Sequence, residues 1–343
     1  MLDDPHVISQ RDPQDALGFA AGQPEQLKHN FGIAGTATFS PIQNVVFAGM
    51  GGSALVAEFA HTWPQLKVPY VVCKEYNLPA FVNQHTLVVC GSYSGNTEET
   101  LEALESARKA KAQIAVIAHG GTLLERAQQY NLVAAPLPHC PQPRTSVFYA
   151  YRALIEIFIA AKLIEHESIK ALEQLVDPLE AAAKQWAATV PEQTNYAKQL
   201  AQHMVGKTPI FYAGPRMYAA AYKWKIGANE NAKNTAWCNY LPEFNHNEFI
   251  GWSSHPIEKP FAVFDLQSSF EHPRILKRFE ISDRLLSGQR PAAVTVQAKG
   301  DTELEHLLYL VLLGDFATTY LALLNGVNPT PVALVEKLKK ELA

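Results

Sequence analysis

Short apolar runs that end near glycine or proline alternate with longer stretches of helical spacing along most of the chain. The clearest apolar runs are Val45 to Ala48, Leu87 to Cys90 and Ile114 to Ala118. Between the last two lies Glu98 to Lys111, which has the spacing of an amphipathic helix. Buried strands that alternate with helices are typical of βαβ units and a parallel sheet. The first part of the chain is therefore predicted to be α/β.

The strand pattern returns in the second half of the chain. Residues 149 to 200 have helical spacing without a strand-like run, and strands are then predicted at Pro209 to Ala213, Phe261 to Phe264 and Ala293 to Val296. The strand and glycine at 46–49 are echoed at 211–214, which indicates two similar halves. Two helices should end the chain: Leu307 to Leu324, stopped by Asn325-Gly326, and Val332 to Leu342.

Composition narrows the class of protein. The 343 residues are 48% hydrophobic, carry a net charge of −4 and are long enough for about two domains. This balance argues against a nucleic-acid partner. The sequence shows neither an apolar run long enough to span a membrane nor a basic leader, so a cytoplasmic location is expected. The cysteines show no metal-site or disulfide spacing and are predicted to be reduced, buried thiols: Cys73, Cys90, Cys140 and Cys238.

Two glycine-containing turns could bind an anion. Gly49-Met50-Gly51-Gly52-Ser53 follows a strand and opens a helix, where backbone N–H groups can approach an anion closely. It matches neither G-x-G-x-x-G nor the Walker pattern, so a tight turn without a ligand is the alternative. The second turn follows Cys90 and offers three hydroxyls, Ser92, Ser94 and Thr97, at a helix start.

Those three hydroxyls suit a phosphate monoester. The loop has no lysine, which favours a sugar phosphate over a nucleoside triphosphate. The alternative is a plain capping box made by Asn96 and Glu99.

Two further segments carry charge. Pro143-Arg144-Thr145 lies in a proline-rich loop that could present its arginine to an anion; a solvated surface arginine is the alternative. Glu230 and, 16 residues later, His246 lie in an asparagine-rich segment and suit general acid/base work on a polyol. The alternatives are a solvated helix glutamate and a turn histidine.

Taken together, six motifs resemble those of the bifunctional phosphoglucose/phosphomannose isomerases, which are built from two sugar isomerase (SIS) domains. The motifs are GMGGS at 49–53, SYSGNTEET at 92–100, PRTS at 143–146, ENAK at 230–233, PEFNHNE at 242–248 and LALLNGVNPTPVALVEKLK at 321–339. The resemblance covers about residues 43 to 342. It implies an α/β fold of two doubly wound SIS-type domains, each a parallel sheet flanked by helices, with a C-terminal helix.

The resemblance also implies domain boundaries. They are an N-terminal extension at 1–25, SIS domain 1 at 26–160, connecting helices at 161–200, SIS domain 2 at 201–326 and a C-terminal active-site helix at 327–343. The extension has no assigned role, and residues 265 to 290 match no motif.

Site residues follow from the same resemblance, position by position. The residues expected to bind substrate are Gly51, Gly52, Ser53, Ser92, Ser94, Thr97, Pro143 and Thr330; among them Ser53, Ser92, Ser94 and Thr97 hold the sugar 6-phosphate, and Thr330 leaves room at C2 for both epimers. Glu230 matches the base and Arg144 the cation that steadies an enediolate. His246, supplied by the partner of a homodimer, and Lys337, on the inner face of its helix, match the pair that assists ring opening.

The reaction implied is an aldose-ketose isomerisation of glucose 6-phosphate and mannose 6-phosphate with fructose 6-phosphate through a cis-enediol. It needs no redox cofactor, and a metal-free route is expected. A non-catalytic sugar-phosphate sensor built on the same paired domains is the alternative. An amino-sugar isomerase and a zinc-dependent heptose isomerase are disfavoured, because the chain lacks a glutaminase domain and clustered metal ligands.

Overall fold

The computed structural model describes residues 1–254 and 260–342 and divides into two compact units. The first-sheet unit comprises Gly22–Pro178, and the second-sheet unit comprises Met1–Ala21 with Leu179–Ala343. Residues 1–21 of the N-terminal extension thus group with the second sheet, and the division falls inside the helical stretch 161–200. The domain boundaries given above stay a prediction.

Within residues 1–185, strands and helices alternate as the sequence pattern indicates. In chain order they are α1 (Pro5–Arg11), α2 (Ala16–Gly22), β1 (Asn44–Gly49), α3 (Gly51–Thr62), β2 (Tyr70–Cys73), β3 (Thr86–Gly91), α4 (Glu98–Lys109), β4 (Gln113–Ala118), α5 (Gly121–Gln129), β5 (Val133–Pro136), α6 (Val147–Ala160), α7 (Ser168–Glu173) and α8 (Val176–Gln185).

The remaining elements repeat that alternation and then end in helices. They are α9 (Tyr196–Met204), β6 (Thr208–Ala213), α10 (Tyr218–Glu230), β7 (Trp237–Tyr240), α11 (Glu248–Gly251), β8 (Phe261–Gln267), α12 (Pro273–Leu285), β9 (Val294–Gln297), α13 (Glu303–Leu324) and α14 (Ala333–Leu342).

Both sheets are parallel, in the orders β2-β1-β3-β4-β5 and β7-β6-β8-β9. This confirms the α/β fold class of two parallel sheets with a C-terminal helix. Each central pair, β1 with β3 and β6 with β8, is almost wholly buried, which explains their continuous apolar sequences. The sequence pattern did not predict β2, β5 or β7. These are four-residue edge strands with mostly half-buried or exposed positions.

A buried carboxylate joins the start of the first-sheet unit to α6. Glu156 is fully buried and accepts hydrogen bonds from the backbone N–H groups of Phe31 and Ile33, each at 3.0 Å. Arg152, one helical turn earlier, donates to the same carboxylate at 3.1 Å and to the carbonyl of Leu27 at 2.8 Å. Because the charge is both paired and hydrogen-bonded, its burial is tolerated.

A buried lysine holds the N-terminal extension on the second-sheet unit. The Nζ of Lys198 donates to Asp3 Oδ1 at 2.9 Å and to the carbonyls of Ala188 and Val190 at 2.9 and 2.7 Å. The guanidinium of Arg11 in α1 donates to the carbonyl of Leu323, near the end of α13. The extension is therefore an integral part of this unit.

Helices α10 and α13 pack closely against each other in the second-sheet unit. Lys223 Nζ lies 2.6 Å from Asp315 Oδ1, and both side chains are buried. A Cβ at Gly314 would lie 2.4 Å from the Trp224 ring, and one at Gly227 would lie 2.5 Å from Thr318 Oγ1. Only glycine fits these two positions, so the helices approach closely.

Two composition-based expectations can be compared with the structure. Cys73, Cys90 and Cys140 are buried, Cys238 is half-buried, and all four are free thiols. By length and composition alone α13 could cross a bilayer, and 94% of its apolar window is buried inside the protein, as in the core helix of a globular unit.

Asp315→Asn should destabilise the second-sheet unit strongly, because it keeps the side-chain shape and leaves the Lys223 ammonium buried without its counter-ion. We expect a loss of about 3–5 kcal/mol in the free energy of unfolding, measured by urea titration. Glu280→Gln removes an exposed pair with Lys277 (2.7 Å) and should stay near wild type. Equal midpoints for the two variants would contradict this account.

Candidate active site

The order of the first sheet places two candidate loops side by side. Strands β1 and β3 are neighbours at the point where the strand order reverses, and in such sheets a crevice opens at the carboxyl ends of these strands. The turn after β1 carries Gly51 to Ser53, and the turn after β3 carries Ser92 to Thr97.

The turn after β1 touches both other candidate segments of this unit. Ser53 Oγ accepts a hydrogen bond from the backbone N–H of Tyr93 at 3.0 Å. A Cβ at Gly52 would lie 3.2 Å from the backbone nitrogen and 3.4 Å from the Cα of Arg144. Helix α3 begins at Gly51, and its N-cap residue Met50 makes no side-chain cap bond. The three segments therefore meet at one helix N-terminus, where an anion is favoured.

The loop after β3 is shaped by its own hydroxyls. Ser92 is buried, and its Oγ lies 2.8 Å from Thr97 Oγ1 and accepts from the backbone N–H of Gly95 at 3.1 Å. Ser94 is exposed. Gly95 has φ +70°, and a Cβ there would lie 1.7 Å from the carbonyl oxygen of Gly120, so no other residue fits this turn.

The capping-box alternative for this loop is wrong. The N-cap residue of α4 is Thr97, which makes no side-chain cap hydrogen bond. The Asn96 Oδ1 instead accepts from the backbone N–H of Thr122 at 3.0 Å. The start of α4 therefore keeps its N–H groups free of a capping side chain.

The surface alternative for Arg144 is also wrong. Arg144 is only 3% exposed and lies in a 3₁₀ turn, Pro143–Thr145. Its guanidinium donates to Gln142 Oε1 at 3.4 Å. The backbone of Arg144 lies against the start of α3, and its buried guanidinium is a fixed positive charge within the first-sheet unit.

Tyr93, which the sequence pattern did not identify as a site residue, joins two of these loops. Its hydroxyl donates to the carbonyl of Cys140 at 2.7 Å and accepts from the Cys140 N–H at 2.5 Å. Its ring stacks on His119, with centroids 5.1 Å apart, and burial raises the pKa of Tyr93. Tyr93 belongs to the SYSGNT motif, but the spacing of that motif did not indicate a contact with the proline-rich loop.

In the second-sheet unit, Glu230 is the last residue of α10 and is half-buried. The asparagines around it have structural partners. Asn231 Nδ2 donates to Thr318 Oγ1 at 3.0 Å, and Asn229 Nδ2 donates to the carbonyl of Asn234 at 2.8 Å. The polar character of this segment therefore comes largely from bonds that fix the end of α10.

The two residues expected to assist ring opening are exposed. His246 ends a short 3₁₀ turn, Glu243–His246. Lys337 is 74% exposed, with Nζ 3.7 Å from Glu341 Oε1. Its predicted position on an inner helix face is wrong, because α14 buries none of its residues. Thr330 is half-buried, and its N–H donates to Asn328 Oδ1 at 3.0 Å.

The site residues thus form two groups, one in each unit. Those of the first-sheet unit lie together: Gly51, Gly52, Ser53, Ser92, Ser94, Thr97, Pro143 and Arg144. In the second-sheet unit, Glu230 and Thr330 are half-buried, while the side chains of His246 and Lys337 are exposed. Among the described residues, no group of three or more His, Cys, Asp or Glu side chains could hold a metal ion.

Comparison with known proteins decides the family. Residues 38–161 match the SIS domain model, and residues 193–342 match the bacterial phospho-glucose isomerase C-terminal SIS domain model. The chain is 33% identical over 306 residues to a bifunctional phosphoglucose/phosphomannose isomerase of Aquifex aeolicus, covering 88% of this chain and 91% of the relative. A protein of the same name from Caldicellulosiruptor bescii is 33% identical over 328 residues, covering 93% and 96%.

The chain belongs to the bifunctional phosphoglucose/phosphomannose isomerase family. A glucose-6-phosphate isomerase like protein from Thermus thermophilus shares the fold, with a TM-score of 0.65 at 18% identity over 99% of this chain and 98% of that one. The family resemblance found in the motifs is therefore confirmed.

In the second sheet, the turn after β6 corresponds to the turn after β1 in the first sheet. The carboxylate of Glu271, from the loop after β8, accepts hydrogen bonds from the N–H groups of Arg216 (3.0 Å) and Met217 (3.2 Å) after β6. A Cβ at Gly214 would lie 2.2 Å from Glu271 Cδ. The second-sheet turn thus holds a carboxylate of its own chain, whereas the N-cap residue of α3, Met50, makes no side-chain cap bond.

Glu271 should make stability depend on pH. Burial raises the pKa of its carboxyl from 4.5 to about 7. Between these pH values the folded protein keeps a proton that the unfolded chain has released, so this stabilisation is complete below pH 4.5 and is lost as the pH rises through 7.

We therefore compare wild type with Glu271→Gln by urea unfolding from pH 4.5 to 8. The stability difference, wild type minus variant, should fall by about 2–3 kcal/mol across that range. Glu280→Gln, which alters an exposed carboxylate, should give a flat difference between pH 5 and 8. A flat difference for Glu271→Gln would contradict the buried, protonated state.

Proposed function

We propose that this protein interconverts glucose 6-phosphate and mannose 6-phosphate with fructose 6-phosphate through a cis-enediol intermediate, without a metal or cofactor. Family membership supports a sugar-phosphate isomerase. The observation that carries the proposal is the meeting of the GMGGS, SYSGNT and PRT segments at the carboxyl ends of β1 and β3.

The first-sheet unit supplies the groups for the sugar 6-phosphate in this proposal. The starts of α3 and α4 offer backbone N–H groups, and Ser53, Ser94 and Thr97 offer hydroxyls. Ser92 acts mainly by holding Thr97 and Gly95 in place. Hydroxyls and amides can bind a phosphate dianion without the strong charge of a lysine.

Glu230 acts as the base in this proposal. It removes the proton from C2 of the open-chain aldose and returns it to C1, while the proton on the C2 oxygen is released and the C1 oxygen is protonated. Charge that develops on the enediolate oxygens requires a fixed cation, and the buried Arg144 has that character. The net change is an isomerisation, so no electron acceptor is needed.

Ring opening precedes this proton transfer, and we assign it to His246 and Lys337. Both are exposed in the single chain, which is compatible with a role for His246 at a partner subunit of a homodimer. Thr330 leaves room at C2 for either epimer. Four free thiols support a reducing, cytoplasmic location.

The first experiment uses the purified, chelator-treated protein with fructose 6-phosphate. Coupled assays should detect both glucose 6-phosphate and mannose 6-phosphate. Binding of fructose 6-phosphate without turnover would instead indicate a sugar-phosphate sensor. Turnover that is lost with chelator and restored by a divalent cation would contradict the metal-free route.

Glu230→Gln should remove most turnover, because the amide keeps the shape of the side chain and cannot accept the proton. We expect kcat to fall about 100- to 10,000-fold, with the affinity for fructose 6-phosphate, measured by calorimetry, nearly unchanged. Glu280→Gln serves as the matched control and should retain wild-type turnover. A Glu230→Gln variant as active as this control would show that another group is the base.

A further inference from the structure

One lysine ammonium in the second-sheet unit contacts the end of α10 and a loop from the far end of the chain. The Nζ of Lys233 lies 2.8 Å from the carbonyl oxygen of Glu230 and 3.2 Å from that of Asn231. It also lies 2.8 Å from the carbonyl oxygen of Asn328 and 3.3 Å from that of Pro329. The next residue after Pro329 is Thr330.

Half of this arrangement is ordinary helix capping. The last carbonyls of an α-helix have no partner inside the helix, and a cation near them is favoured by the helix dipole. Lys233 lies three residues after the end of α10 and meets that need. Capping alone does not explain the two carbonyls of the 328–329 segment, which belong to a different part of the chain.

The backbone of Lys233 is itself unusual. Its φ is +53°, in the left-handed region that residues with a side chain adopt only at an energetic cost. A glycine would remove that cost and lose the ammonium. The strained conformation therefore accompanies a side chain that bridges two segments.

The loop after α13 has other attachments that act with this lysine. Asn325 Nδ2 donates to the carbonyl of Ala232 at 3.1 Å. Asn328 Oδ1 accepts from the N–H of Thr330 at 3.0 Å, and Asn328 Nδ2 donates to Gln14 Oε1 at 2.8 Å. The loop is therefore fixed on one side by the Ala232-Lys233 segment and on the other by the N-terminal extension.

We propose that Lys233 is a positioning residue that sets Thr330 relative to Glu230, and thereby sets the proportion of glucose to mannose product. This inference rests on the proposed function, in which Glu230 moves the proton and Thr330 leaves room at C2. Lys233 acts on Glu230 through its carbonyl oxygen and on Thr330 through the carbonyl oxygens of the two residues before it, Asn328 and Pro329. Gln14 and Asn328 serve the same purpose, which gives the N-terminal extension a role.

The ratio of the two aldose phosphate products can be measured, and loss of folded protein does not change it. Fructose 6-phosphate yields both aldose phosphates from one pool of enzyme, so the ratio of their initial rates is independent of how much of the protein is active. Lys233→Met should shift this ratio by about threefold or more. Lys233→Arg keeps the charge and several N–H donors and should move the ratio back toward wild type.

Two further variants complete the design. Asn328→Ala removes the contacts to Thr330 and Gln14 without altering α10, and should shift the ratio in the same direction even if Lys233→Met fails to fold. Lys277→Met makes the same chemical change on the exposed face of α12 and should leave the ratio at the wild-type value.

The outcomes separate this inference from the proposed function. Active Lys233→Met and Asn328→Ala proteins whose ratios stay within about 1.5-fold of wild type would overturn the positioning role and leave the isomerase activity intact. A wild-type protein that forms neither aldose phosphate would overturn the proposed function and this inference together.

Discussion

The packing of α10 on α13 determines where the candidate base lies. Glu230 is the last residue of α10, so its position depends on how closely that helix approaches α13. The approach is fixed by the absence of side chains at Gly227 and Gly314 and by the indole of Trp224, whose Nε1 donates to the carbonyl of Leu310 at 2.7 Å. The buried Lys223–Asp315 pair adds a directional, charge-assisted contact that a purely apolar interface would lack.

The candidate anion site of the first sheet depends on a different constraint, the close approach of backbone segments. Gly52 lies against the backbone of Arg144, and Gly95 lies against Gly120. Side chains at either glycine would separate loops that now meet. The hydroxyls of Ser53 and Ser92 complete this arrangement by bonding to backbone N–H groups of the SYSGNT loop. Much of the motif is therefore needed to build the crevice, and fewer of its atoms are left to bind an anion.

The central strands and long helices could be predicted from the sequence because burial on both faces leaves a continuous apolar run. Of the four edge strands only β9 was predicted. The other three were missed, and β7 shows why: Trp237 and Tyr240 are both exposed, so its four residues carry no periodic signal. The motif resemblance identified the segments of the candidate site but not the residues that contact them. The burial of Arg144 depends on tertiary packing, and the carboxylate of Glu271 reaches the turn after β6 from the loop after β8, a contact that no local pattern encodes.

The two sheets share a strand-to-helix turn, but its backbone N–H groups have different partners in each. After β1 and after β6 the chain turns into a helix, and in both places N–H groups near the turn need an acceptor. In the second-sheet unit Glu271 accepts from these N–H groups, whereas after β1 the N-cap residue Met50 makes no side-chain cap bond and no other capping side chain is found among the described residues. A ligand phosphate would therefore have to displace a buried carboxylate at the second turn and none at the first. The candidate residues of the second-sheet unit lie instead at the end of α10, where Lys233 joins the backbone of Glu230 to the loop before Thr330. In the proposed function the two similar halves therefore have different tasks, one holding an anion and the other placing a base.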